Sequence, residues 1–154
     1  MTRFTWAIVI GVLALVGVAL VLAFATPRAV APPDLSTPEG VTLAFALALQ
    51  AGDLDQAWAL LAPAAQAQTT KDRFISRAEG IRGTYQRARL SVQNTRVDGD
   101  TARTDLIRTS PSSGGLFGLG DSSYSNQNTV RLARENGQWR ITAPPDPFLL
   151  ERLP

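Results

Sequence analysis

Val130-Arg-Leu-Ala-Arg-Glu-Asn-Gly-Gln-Trp-Arg-Ile-Thr142 reads in period two on both sides of a single dipeptide. Val130 and Leu132 alternate with polar residues on the way in, and Trp139, Ile141 and Ala143 share one face on the way out. Asn136-Gly137 between them is the strongest short-range hairpin signal, because both loop positions need a positive φ that Asn and Gly tolerate. The stretch therefore closes an antiparallel sheet with one apolar face, and that face needs a cover.

Working back along the chain, the same period continues. Leu90 and Val92 alternate with Arg89, Ser91 and Gln93 in a strand expected over 84–97, and Asp98-Gly99 supplies the turn into a second strand over 101–109. A third strand is expected over 124–134 and a fourth over 138–143. Before residue 84 the period is 3.6. Thr37, Pro38 and Glu39 form a helix start, with a cap, a proline at the first position and an acid in the first turn; Gly52 stops that helix. Asp53 and Gln56 open a second helix with Leu54, Ala57, Trp58 and Leu61 as its buried stripe, closed by Pro63. Thr70 caps a third, with Phe74, Ile75 and Ala78 inward and Gly80 or Gly83 as its end. Pro144, Pro145 and Pro147 end strand pairing and leave Phe148, Leu149, Leu150 and Leu153 to pack back on the body. Helices segregated from strands mean α+β: three N-terminal helices packed on a curved four-stranded antiparallel sheet.

One transmembrane helix is expected in front of that domain. From Trp6 to Ala25 the chain carries no charge over twenty residues, enough at ~1.5 Å per residue to cross a ~30 Å hydrocarbon core. Residues 1–25 read as a retained signal-anchor, 26–37 as a Pro-rich spacer and 38–154 as the domain. The run exceeds the apolar core of a cleavable signal peptide, although Ala23-Phe24-Ala25 is a small-x-small site, and secretion after cleavage near Ala25 is the alternative. Arg3 precedes the run and Arg28 follows it; the ordinary solution for a short head and a following domain puts the domain on the extracytoplasmic side of a cell membrane.

The chain of 154 residues contains no Cys and no His. Disulfides, thiol nucleophiles, Cys/His zinc sites and histidine general bases are thereby excluded. No cofactor is implied. Acid/base chemistry would fall to Asp105 or Asp72 beside Tyr85 or Tyr124, the only phenols. The competing reading turns Asp105 to solvent and pairs it with an arginine of a neighbouring strand, because Thr101, Arg103 and Thr109 of its strand face are polar against only Ile107. The Gly- and Ser-rich stretch 112–123 has no Lys and precedes a strand, so it is not a phosphate loop. Its Leu116, Phe117 and Leu119 form a lid, a mobile segment or an apolar contact. Residues 71–96 carry seven bases against two acids, and Arg73, Arg77, Arg82, Arg87 and Arg89 either line a solvated face or meet anionic lipid or cell-wall polymer. Nucleic acid is not expected as a partner, for want of basic and aromatic interleaving.

Phe45-Ala-Leu-Ala-Leu-Gln-Ala-Gly-Asp-Leu-Asp-Gln-Ala-Trp-Ala-Leu-Leu-Ala-Pro63 resembles the opening helix pair of nuclear transport factor two-like domains, and Val130 to Thr142 their closing hairpin. Within that superfamily the chain is most similar to small bacterial envelope proteins of unassigned function and to the non-catalytic domain preceding some penicillin-binding transpeptidases. The resemblance implies a cone, with the sheet wrapped around the first helix and a pocket at the open end. The same cone hosts isomerases, dehydratases and inert accessory modules. The expected function is a membrane-anchored binding or accessory module without catalysis, docking an envelope protein or a small apolar ligand through Leu116, Phe117, Leu119, Phe45, Trp58 and Trp139. A cofactor-free acid/base enzyme and a purely structural envelope module are the alternatives.

Overall fold

Thr37 starts the fold as its sequence implies. Its hydroxyl accepts from the Gly40 amide at 3.1 Å, and Pro38 opens α1 (Pro38–Ala51) at a position where the missing N–H costs nothing. Gly52 ends it in the left-handed region at φ 81°, and the amides of Gly52 and Asp53 both reach the Ala48 carbonyl at 2.9 Å. The computed structural model describes residues 32–111 and 123–150. The expected anchor at 1–25 and Leu116, Phe117, Leu119 and Leu153 lie outside the described residues. No helix among the described residues is long and apolar enough to cross a membrane.

Three expected helices become four. Asp53 caps α2 (Leu54–Ala59) through the Gln56 amide, but the helix ends before Pro63. Leu61 leaves it to bridge Ile141, with the Ala62 amide on the Ile141 carbonyl and the Ile141 amide on the Leu60 carbonyl. A strand-like connection satisfies backbone groups at the sheet edge that another helical turn would have left unpaired. Pro63 then opens the one-turn α3 (Pro63–Gln66). The last helix, α4 (Lys71–Gln86), runs through both glycines expected to stop it. Gly80 and Gly83 face open space, so each costs only its propensity of about 1 kcal/mol, and continuing carries Tyr85 into the core with no exposed surface.

The sheet is a meander in the order β1 (Arg89–Asp98), β2 (Thr101–Pro111), β3 (Ser123–Glu135), β4 (Gln138–Ala143). β1 starts later than expected because α4 occupies residues 84–86. Asn136 and Gly137 turn β3 into β4 at φ 51° and 80°. The first hairpin turns one residue later than expected, on Gly99-Asp100, so that Asp98 pairs with Thr101. α1 touches β1, β2 and β4. Strands spaced ~4.8 Å apart put the two sheet edges roughly 14 Å from each other, so a sheet in contact with one helix at both edges has to curl around it. The core under that curl holds Phe45, Leu49, Phe74, Leu106, Leu132 and Ile141, with one polar link, Thr42 Oγ1 to Thr104 Oγ1 at 2.8 Å, tying α1 to β2.

After Ala143 the prolines end ladder pairing with β3, and a short 3-10 turn (Pro147–Leu149) seats Leu149 and Leu150 in the core while Phe148 stays half exposed.

Candidate functional site

β2 alternates strictly. Ala102, Thr104, Leu106 and Arg108 point toward α1, and Arg103 and Asp105 point away. Arg108 is therefore an arginine in core phase, its side chain 10% exposed. Its guanidinium lies over the Tyr85 ring, 4.5 Å from the centroid. Nη1 donates to Thr84 Oγ1 at 3.2 Å and meets Asp146 Oδ2 at 3.4 Å, and Nη2 donates to Asn128 Oδ1 at 3.4 Å. The Tyr85 hydroxyl donates to the same Asp146 oxygen at 2.6 Å. Asn128 completes the group by donating to the Pro145 carbonyl at 2.9 Å. One knot thus joins α4, β2, β3 and the segment after β4. Burial, then the negative charge of Asp146, push the Tyr85 phenol well above its ordinary range.

A carboxylate beside a tyrosine is the expected mark of acid/base chemistry, with Asp105 or Asp72 as the acid. The acid is instead Asp146, and Arg108 neutralises it. Asp72 is exposed at the start of α4. Asp105 faces solvent, but its partners are neutral donors and not an arginine: Thr129 Oγ1 at 2.8 Å, Gln127 Nε2 at 2.9 Å and Asn94 Nδ2 at 3.1 Å. These bonds, chiefly from Asn94 and Thr129, hold its carboxyl below the ordinary range. Tyr124 is 68% exposed on β3.

Of the expected contact residues, Phe45 is core. It has no exposed surface, and its ring lies 6.5 Å from that of Phe74. Trp139 is buried on β4, and Trp58 is half-buried against Phe74 at 5.3 Å. The basic set divides. Arg82 caps α1: its Nη2 donates to the Ala51 carbonyl at 2.9 Å, a cation at a helix C-terminus, and it fills the space that a side chain at Gly52 would need. Arg77 lies over the Phe148 ring at 5.2 Å. Arg73, Arg87 and Arg89 are exposed.

The concave surface lies elsewhere. Where β4 leaves the sheet, a cleft of about 1020 Å³ is lined by Arg103, Arg131, Thr129 and Asn128 on one side and by Pro147 and Phe148 on the other. A second hollow of about 420 Å³ adjoins it, lined by Arg96, Arg103, Asn94 and Asp105. The two share Arg103 and Thr129. Arg96, Arg103 and Arg131 escaped sequence reasoning because only strand register brings them together. Arg108 carried a legible signal, its phase with Ala102, Thr104 and Leu106.

No family model matches the chain, and no curated protein matches it. Among solved structures it is similar to RPA3114, a SEC-C motif containing protein from Rhodopseudomonas palustris, at TM-score 0.50 and 15% identity, over 71% of this chain and 77% of that one. It is also similar to a protein of Campylobacter jejuni provisionally named an NTF2-like transpeptidase, at TM-score 0.48 and 14% identity, over 69% and 97%. A third is a provisionally named calcium/calmodulin dependent protein kinase II association domain from Xanthomonas campestris, at TM-score 0.41 and 15% identity, over 63% and 74%. At such identity the likeness to RPA3114 is one of fold.

Proposed function

We propose that this chain is a membrane-tethered, extracytoplasmic accessory domain of the nuclear transport factor two-like kind, non-catalytic, whose working surface lies on the outside of the sheet. The knot of Tyr85, Asp146 and Arg108 carries the non-catalytic reading. A general base needs an uncommitted carboxylate within reach of substrate, whereas Asp146 accepts from Tyr85 and pairs with a nearly buried arginine. Phe45 and Phe74 fill the interior that an enzyme of this shape would keep open. The tether rests on the uncharged run from Trp6 to Ala25.

Two measurements test the reading. The native protein is expected to stay with membranes after an alkaline carbonate wash and to keep its full mass; a soluble form beginning near Thr26 would refute the tether. Tyr85→Phe, expressed at wild-type level, is expected to complement a deletion strain fully. Lost complementation at unchanged protein level would assign Tyr85 to chemistry.

A further inference from the structure

Arg96 on β1 pairs with Arg103 on β2, and Arg103 pairs with Arg131 on β3. Paired residues of an antiparallel ladder point to the same side, so three arginines stand in one row across three strands on the face turned away from α1. All three are exposed, and none of their guanidiniums makes an ion pair or hydrogen bond with a described residue. Like charges directly opposite each other destabilise a sheet. The row has an unusual origin. Strict alternation from Leu90 and Val92 would turn Arg96 inward, but a bulge at Asn94-Thr95, with Asn94 at φ 52°, re-phases the strand and turns Arg96 out beside Arg103.

We infer that the row is a binding site for a linear polyanion whose charges are phosphate groups, lying across the strands. This deepens the accessory-module reading and rests on it for the outer face as working surface. Neighbouring strands hold the arginines ~5 Å apart, and a tetrahedral phosphate can present oxygens to two guanidiniums at once, whereas a planar carboxylate matches a single fork. The cleft and the hollow meet at Arg103, so the row runs between two depressions and fits a thread better than a flat bilayer. Asp105 lines the same hollow and its charge offsets part of the row, but it makes no ion pair with these arginines, its oxygens being held by Asn94, Gln127 and Thr129, so the three guanidiniums stay open to a ligand. On that face the described strand residues carry no aromatic ring on which a base could stack, and Phe148 across the cleft already has the Arg77 guanidinium over its ring, so the row itself reads phosphate. A second copy docked face to face about a two-fold axis would bring the two arginine rows together.

The full chain in zwitterionic nanodiscs, titrated with inorganic polyphosphate, tests this. Binding is expected, with log K falling against log salt at a slope of about −2 for three contacts. Arg103→Gln is expected to weaken it by about five-fold and the triple Arg96→Gln/Arg103→Gln/Arg131→Gln by about a hundred-fold, with Tm unchanged or raised. Arg73→Gln/Arg87→Gln, against Arg96→Gln/Arg103→Gln at equal charge, is expected to bind like wild type. The inference is overturned if the two double variants lose affinity equally, if polyglutamate binds as tightly as polyphosphate, or if only vesicles of anionic lipid bind and polyphosphate does not. Failure of the tether would show separately, as a chain that does not enter nanodiscs yet still binds polyphosphate through the row.

Discussion

Tyr85→Phe removes one oxygen atom from the knot and leaves the ring on which Arg108 rests. What is lost is a 2.6 Å hydrogen bond to a carboxylate, and bonds to charged groups contribute about 1.5–3 kcal/mol. The Asp146 side chain is 23% exposed, so water can partly replace the phenol, and the expected loss near pH 7 sits at the lower end, about 1.5–2 kcal/mol. In urea, with a slope of about 1–3 kcal/mol per molar, that moves the midpoint down by about 1 M. A second signature follows from the phenol itself. Its folded pKa is raised above the unfolded value of 10.0, so below pH 10 both states hold the proton and the contribution is intact. Above it only the unfolded chain ionises, and wild-type stability falls by about 1.4 kcal/mol per pH unit. The Phe variant lacks that fall. Urea unfolding of the full chain in mild detergent, followed by tryptophan fluorescence from about pH 8 to pH 11, should show the two proteins converging at the alkaline end. Equal stability near neutrality, or curves that stay parallel through the alkaline range, would refute the knot as described.

Other expectations follow from single contacts. Thr42→Val leaves the buried Thr104 hydroxyl without its partner and should destabilise by about 1–3 kcal/mol, whereas Thr42→Val/Thr104→Val together should cost much less; a double-mutant cycle by urea unfolding reads the difference. Gly52→Ala forces a side chain into the left-handed region at φ 81° and against the Arg82 guanidinium, and should lower stability by about 1 kcal/mol or more; a melting curve that matches wild type would count against the Arg82 cap. Asp105 has a folded pKa below its ordinary 3.8, so its contribution is present above that value and lost as pH falls through the folded one. Asp105→Asn should flatten the acid limb of the stability profile. Arg103→Thr removes the middle charge of the row and should raise Tm slightly, as a differential scanning trace would show.

Periodicity and capping made most of the architecture legible, because they are local. Thr37-Pro38, Asp53, Thr70 and Asn136-Gly137 act through hydrogen bonds and dihedral preferences within three or four residues, and each does in the structure what its residue type implies. The misplaced boundaries came from distant contacts: α2 stops early because Leu61 meets Ile141 on β4, and α4 runs past Gly80 because Tyr85 has a core to reach. The candidate sites divide the same way. The uncharged run, the missing Cys and His and the core phase of Arg108 belong to the sequence alone. Asp146, among prolines, offered no signal, and its meeting with Tyr85 spans 61 residues. The arginine row needed a bulge, a turn placed one residue later than the dipeptide suggested and the pairing of β2 with β3 across 112–122. Register is a global property of packing. A slip of one residue would send Arg96 or Arg103 to the opposite face, and only the folded sheet decides which side of the protein carries the charge.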